Sequence, residues 1–305
     1  MHNKTVLVTG GAGFIGKHTI RELEKIGFIL IAVDRKDKPN DLTCKYYQTD
    51  VTSKEFEKVF NENNIDYIIH LAALPSVAES IKTPLIDCRD NYMATVNVCT
   101  LAQKYAVKKI IFSSTAAVYA NPQYLPIDEK HPTAYLSPYA ITKKASENFV
   151  KYCGIDYIIF RYANVYGVGQ DCSGEAGVVA KFFDLMTQNK PIQIHGNGKQ
   201  YRDFIYVSDV AKANVLALTT DIQDEIINVS TNSRTSINDL FEVLKEELSY
   251  KLEPVYTAPR EGDIEKSILN NEKLISLFHF TPSIDIRTGI REMVIHYSKI
   301  GKECV

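Results

Sequence analysis

Thr5-Val6-Leu7-Val8-Thr9-Gly10-Gly11-Ala12-Gly13-Phe14-Ile15-Gly16 decides the fold of this 305-residue chain. An apolar, β-branched run enters a glycine cluster, and the amphipathic stretch GFIGKHTIRELEKIG (13–27) follows, which reads as strand, turn and helix. Gly10 permits the tight turn, Gly13 lets backbone N–H groups approach a diphosphate, and Gly16 lets the helix pack closely on the strand. In this strand–turn–helix context the glycines form a dinucleotide-binding fingerprint. FILIAVD (28–34) is the second strand. Asp34 ends it, where a carboxylate takes the ribose hydroxyls of an adenosine. A carboxylate there repels a 2′-phosphate, so NAD is expected over NADP. Arg35 tempers that preference, because an arginine can accept the phosphate. Asp50-Val51 closes the next strand, where it can reach the adenine edge.

Outward from this unit the alternation continues. Strands are expected at 46–50, 65–73, 108–114 and 156–162, with helices at 53–64, near 85–105 and near 138–152. Continuous apolar strands separated by helical periods imply a parallel, doubly wound sheet covered on both faces. After about Tyr166 the rhythm changes to loops, short strands and scattered helices. This predicts a smaller unit built against the first, with a ligand crevice between them. DFIYVSDVAKANVLAL (203–218) reads as a strand and helix returning to the large unit.

The net charge of −2 gives no electrostatic case for nucleic acid or an anionic membrane as partner. No apolar run approaches the ~20 residues of a membrane span. The N-terminus enters the first strand directly, without the apolar segment and cleavage site of a secretory leader. Six cysteines without CxxC spacing suit reduced thiols and a cytoplasmic location. The seven histidines show no ligand spacing, so no metal site is expected.

Ser137-Pro138-Tyr139-Ala140-Ile141-Thr142-Lys143 opens a helix, with Ser137 as N-cap and Pro138 in the first turn. Tyr139 and Lys143 then share a face one turn apart. A tyrosine ordinarily ionises near pH ~10, too high for a base at neutral pH. A neighbouring ammonium and the helix N-terminus both favour the phenolate, which would bring Tyr139 into range as a general base. Ser113-Ser114-Thr115 ends the strand KKIIF, at the carboxyl edge of the sheet where such folds bind ligands.

TGGAGFIG, HLAA (70–73), SSTAAVY (113–119), Tyr139-xxx-Lys143, RYANVYG (161–167) and RDFIYVSDV (202–210) occur in this order. Together they resemble the extended short-chain dehydrogenase/reductase family, especially its UDP-galactose 4-epimerase branch, from Thr5 to about Asn271. The resemblance implies an α/β fold: a Rossmann-like doubly wound parallel sheet with a smaller mixed α/β substrate-binding domain. Residues 1–166 would bind NAD, with a returning segment near 203–220, and residues 167–305 would bind the nucleotide-sugar. It implies that Tyr139 is the base, that Lys143 also holds the nicotinamide ribose, and that Thr115 fills the Ser/Thr position. It further implies that Phe14, Ile15, Leu71, Ala72, Ala73 and Asn91 lie against the cofactor, and Ser76 and Val178 beside the substrate. Asn164, Arg202 and Arg260 would hold the nucleotide diphosphate; arginine suits that role because its planar fork binds phosphate oxygens in pairs. A homodimer through the helices near 90–105 and 138–152 is implied as well.

Departures from the pattern carry information. Relatives that dehydrate or decarboxylate nucleotide-sugars have an acid just after the Ser/Thr position, whereas Ala116 and Ala117 follow Thr115 here. Simple epimerisation through a 4-keto sugar is therefore expected. Ser267 falls where the family limits its pocket, and a small residue there resembles members that accept N-acetylated sugars. Ala120 stands where a glycine is usual. An NADPH-linked reductase of 4-keto nucleotide-sugars, an epimerase of UDP-glucuronate and a non-catalytic NAD sensor are the alternatives. Asp34 argues against the first of these, and the intact Tyr139–Lys143 pair against the last.

Overall fold

Alternate side chains of each central strand enter two different cores, as expected where helices cover both faces of a parallel sheet. The computed structural model describes residues 4–172, 177–259 and 264–300. Strands β1 (Thr5–Thr9), β2 (Ile29–Asp34), β3 (Lys45–Gln48), β4 (Tyr67–His70), β5 (Lys109–Thr115) and β6 (Asp156–Tyr162) build the sheet together with Glu225–Val229. The spatial order is Glu225–Val229, β6, β5, β4, β1, β2, β3, and every pairing is parallel. Val6, Val8, Ala32, Ile69, Ile111, Ile158 and Phe160 face one core. Leu7, Ile31, Val33, Ile68, Ile110 and Ile159 face the other. The order reverses between β1 and β4, so their carboxyl ends flank the crevice where a doubly wound sheet takes its ligand. The fold is the Rossmann-like sheet with a smaller mixed unit that the sequence pattern implied.

The returning segment forms the strand Phe204–Tyr206 and the helix Val207–Thr219. Asn214 of that helix donates to Thr19 Oγ1 (3.1 Å) on the glycine helix, Phe14–Glu24, and accepts from the Tyr162 hydroxyl (2.7 Å) at the end of β6. A third core, with Phe182, Phe183, Phe204, Leu240, Phe241 and Met293 among its members, lies under the helices Val178–Thr187, Ile237–Glu247 and Ile286–Ile300. Phe14 and Ile15 pack against it, so the start of the glycine helix touches both units.

Two elements differ from their expectation. The helix expected near 85–105 is interrupted: Pro84–Asp87 passes into a π-helical turn, Cys88–Met93, before the α-helix Ala94–Lys104. There the Asn91 carbonyl is taken by side chains, the hydroxyls of Thr95 (2.7 Å) and Ser146 (3.3 Å). The strand expected over 65–73 stops at His70. Leu71 N–H still bonds the Thr9 carbonyl (3.2 Å), but Ala72 N–H turns to the Thr9 hydroxyl (3.2 Å), and the chain leaves the sheet. Among the described residues no helix is long and apolar enough to cross a membrane.

Ala120, the residue in the usual glycine position, keeps a glycine-like conformation with φ +53° and ψ −136°. An L side chain is strained there. Ala120→Gly is expected to raise stability by about 1 kcal/mol, strain relief exceeding the entropic cost of the glycine. A urea-denaturation midpoint that stays or falls would show the turn to be unstrained.

Candidate active site

The crevice at the carboxyl edge of the sheet has a volume of about 710 Å³. At one end the glycine turn shapes it. Gly10 sits at φ +70°, and a Cβ there would lie 2.8 Å from Ala72 N, so the residue can only be glycine. A Cβ on Gly16 would collide with the Gly10 carbonyl oxygen. No side chain caps the helix at Gly13, and Phe14, Ile15 and Gly16 line the cleft, leaving first-turn N–H donors for an anion. Asp34 closes this end: one carboxylate oxygen accepts from Ala12 N–H and the other from Lys36 N–H, both at 3.1 Å. Asp50 and Val51 line the same end, and Leu71, Ala72 and Ala73 form the wall opposite. This cradle fits a dinucleotide: glycines where backbone must approach, N–H donors for a diphosphate, a carboxylate for a ribose.

His70 lies beneath that wall, fully buried, with Nδ1 2.7 Å from the Thr9 hydroxyl and Nε2 3.2 Å from that of Thr95. Burial, and secondarily the charge of Lys143, pushes its pKa down to about 3. The ring is thus a neutral brace for the loop that begins at Leu71.

At the centre, the helix Pro138–Tyr152 starts as its sequence predicts. Ser137 Oγ caps Ala140 N–H (3.2 Å), and Ser80 Oγ accepts from Tyr139 N–H (3.2 Å). Its buried face is unusually polar, containing Tyr139, Thr142, Lys143, Ser146 and Glu147. Tyr139 and Lys143 line the cleft with Thr115, whose hydroxyl bonds Tyr139 and caps Ala117 N–H (3.2 Å). Thr142 bonds Asp87 (2.7 Å). Glu147, fully buried, accepts from Ser114 Oγ (2.6 Å), from Arg161 through two bonds (2.8 and 2.7 Å), and from Lys144 (3.0 Å).

Electrostatically the centre departs from the sequence expectation. Burial pushes Tyr139 up to about 12, against the Thr115 hydrogen bond, which lowers it. Burial likewise pushes Lys143 down to about 7, against the carboxylates of Glu147 and Asp87. Desolvation outweighs charge pairing at both groups, because each side chain is itself buried in the cleft wall. The Lys143 ammonium stands 4.4 Å from the centre of the Phe112 ring.

The other end carries Ser76, which caps the helix Val77–Lys82 through Glu79 N–H (3.0 Å), together with Val178, Asn164 and Phe204. Asn164 Nδ2 donates to the Asp203 carbonyl (3.1 Å), and the Asp203 carboxylate ties down Thr231 and Asn232 N–H. Three residues implied for binding stand off the cleft wall. Asn91 is buried behind it, bonding Leu74 N–H (2.8 Å) and Asp87 (2.7 Å). Arg202 donates to the Tyr201 carbonyl (3.0 Å), and Ser267 N–H bonds that same carbonyl (3.2 Å), so the two lie side by side beyond Phe204. Arg260 lies outside the described residues. Glu147 and Arg161 were not foreseen. Glu147 continues the Tyr139–Lys143 stripe by one more turn, and a charge on an otherwise buried face was the available signal.

Residues 6–230 match the family model described as NAD dependent epimerase/dehydratase family. A protein of Methanocaldococcus jannaschii, provisionally named a UDP-glucose 4-epimerase, is 40% identical over 95% of this chain and 97% of its own length. A UDP-glucuronate 4-epimerase of Thermodesulfobacterium geofontis is 30% identical over 98% of this chain and 97% of its own. The crystal structure of a UDP-glucose 4-epimerase from Thermotoga maritima with UDP-glucose superimposes with a TM-score of 0.94 at 37% identity, covering 98% of this chain and 100% of that one.

The depressed Lys143 predicts a pH-dependent stability. Between about 7 and the unfolded value of 10.5 the unfolded chain holds a proton that the folded chain releases. The cost to the fold is therefore full below about pH 7 and vanishes as the pH rises toward 10.5. Lys143→Met should be more stable than wild type near pH ~6, by at least about 1 kcal/mol, and the gap should close near pH ~10. Denaturation midpoints at the two pH values check this; a gap independent of pH would contradict it.

Proposed function

The chain belongs to the NAD dependent epimerase/dehydratase family, and from that premise we propose that it is a 4-epimerase of a UDP-sugar working through a transient 4-keto sugar. The observation that carries this is the Thr115–Tyr139–Lys143 set at the centre of the cleft, with Ala116 and Ala117 where a dehydratase would present an acid. NAD, when bound, supplies the acceptance and return of hydride at C4. Tyr139 removes the proton of the 4-hydroxyl and gives it back after the keto sugar has turned over in the site. Thr115 bonds the Tyr139 hydroxyl and orients it. Lys143, one helical turn on, offers an ammonium that favours the phenolate and a donor to a ribose hydroxyl. Because burial holds Tyr139 near 12 in the protein alone, the base is strong when it forms and needs added positive charge in the site to form at neutral pH.

UDP-hexoses are the substrates favoured by the Thermotoga maritima likeness; the sequence resemblance supports Asn164, on the cleft wall, with Arg202 and Arg260 as diphosphate ligands, Arg202 on leaving the Tyr201 carbonyl. The family description and Asp34 at the end of β2 support NAD as cofactor. Exposed apolar side chains on the helices preceding and including the base, among them Ile81, Leu85 (85% exposed), Met93, Ile141 and Tyr152, support a homodimer through this face.

Proton NMR of the purified protein with UDP-glucose, no NAD added, should show a 4-epimer accumulating to a fixed ratio. Tyr139→Phe should lower kcat by about 10²–10⁴-fold while NAD stays bound. Near-normal turnover in that variant removes Tyr139 as the base; an unchanged spectrum for UDP-glucose and UDP-N-acetylglucosamine, even with NAD supplied, removes the UDP-hexose reading. In sedimentation, wild type should run at twice the chain mass and Leu85→Glu as a monomer; a monomeric wild type dismisses the dimer.

A further inference from the structure

Arg35 is the arginine at the nucleotide end whose position argues for a 2′-phosphate, and its surroundings remove it from that role. It directly follows Asp34, lines the cleft and is half-exposed. Its Nη1 lies 2.9 Å from Asp90 Oδ2 and 3.6 Å from Asp50 Oδ2, so two carboxylates hold the guanidinium. Both carboxylates are themselves anchored. Asp50 accepts from Thr52 N–H (2.8 Å) and Thr52 Oγ1 (2.7 Å). Asp90, with a side chain only 5% exposed, also accepts from Arg89 Nε (2.6 Å). Burial works against the Asp90 charge, but the bonds from Arg89 and Arg35 outweigh it and keep the carboxyl ionised. Asp90 reaches the cleft because it stands on the π-helical turn Cys88–Met93; inserting a residue re-aims the side chains of that turn, a device often found at functional sites.

We propose that Asp90 is a specificity-determining residue for the cofactor. By drawing Arg35 toward itself and Asp50, it keeps the guanidinium from meeting a 2′-phosphate beside Asp34. A ribose with two free hydroxyls finds carboxylate acceptors along this end of the cleft, whereas a 2′-phosphate finds the Arg35 guanidinium already paired. The chain thus contains a cation that an NADP site would use, held closest by Asp90 from a distant part of the sequence and flanked by Asp50. This inference rests on the dinucleotide reading of the cleft and extends it to a residue that touches Arg35 and not Asp34.

The test is calorimetric titration of nucleotide-free protein with NAD and with NADP, a readout independent of turnover. Wild type should bind NAD and discriminate strongly against NADP. Asp90→Asn should raise NADP affinity by about tenfold, a gain of about 1.4 kcal/mol, with NAD affinity changed by less than about threefold. The gain should disappear in Asp90→Asn combined with Arg35→Ala. An unchanged ratio in Asp90→Asn, or a gain that survives loss of Arg35, overturns the role of Asp90 while leaving the NAD site intact. Failure of wild type to bind either dinucleotide overturns the cofactor reading, and this one with it.

Discussion

The buried ion pair between Glu147 and Arg161 is the constraint on which the centre of this protein depends. Glu147 sits on the helix that carries Tyr139 and Lys143, Arg161 on β6, and the same carboxylate takes the Ser114 hydroxyl from β5. One side chain therefore sets the height and rotation of the helix against two strands. Thr115 and Tyr139 arrive from opposite sides of that joint. Burying both charges costs several kcal/mol, offset by the paired Arg161–Glu147 bonds and by the Ser114 and Lys144 bonds to the same carboxylate, while Arg161 Nη1 has no hydrogen-bond partner among the described residues. The Arg161 guanidinium also lies 4.8 Å from the centre of the Tyr119 ring, and the Tyr119 hydroxyl reaches Asn228, which extends the tie to the seventh strand. An apolar joint would be cheaper, but it would let the helix slide; directional bonds fix the register.

The same buried face explains the perturbed chemistry of Tyr139 and Lys143. The helix places a phenol and an amine one turn apart, both buried at the cleft wall, and desolvation dominates both. Burial thus favours the neutral phenol of Tyr139 and brings Lys143 down to about 7, where ammonium and amine are balanced near neutral pH. For the base role proposed for Tyr139, burial places the phenolate out of reach at neutral pH in the protein alone.

Much of this was legible in the chain itself, because the signals were local. The strand–turn–helix around Gly10 and Gly16, the helix beginning at Ser137 and the parallel, doubly wound character of the sheet follow from periodicity, caps and glycine geometry. What escaped was non-local. Nothing near Asn91 indicates that hydroxyls from Thr95 and Ser146 will claim its carbonyl and open a π-helical turn. The pairing of Arg35 with Asp90 spans 55 residues, and no spacing rule reaches that far. Periodicity places charged groups near one another; it does not weigh their attraction against lost hydration, so the direction of the Tyr139 shift was out of reach.

The strand Glu225–Val229 pairs with β6 as the outermost member of the main sheet, and the helix Val207–Thr219 covers the glycine helix. On the ribosome this imposes an order. The first six strands emerge and can associate, but β6 presents an unpaired edge, and the Ile20 face of the glycine helix lies bare, until about sixty more residues have been made. An open parallel edge beside a bare apolar face is what aggregation and chaperone capture exploit. Truncation between β6 and Glu225 would therefore leave the glycine turn's residues present and their supporting sheet incomplete, so the main sheet is not separable by a single cut.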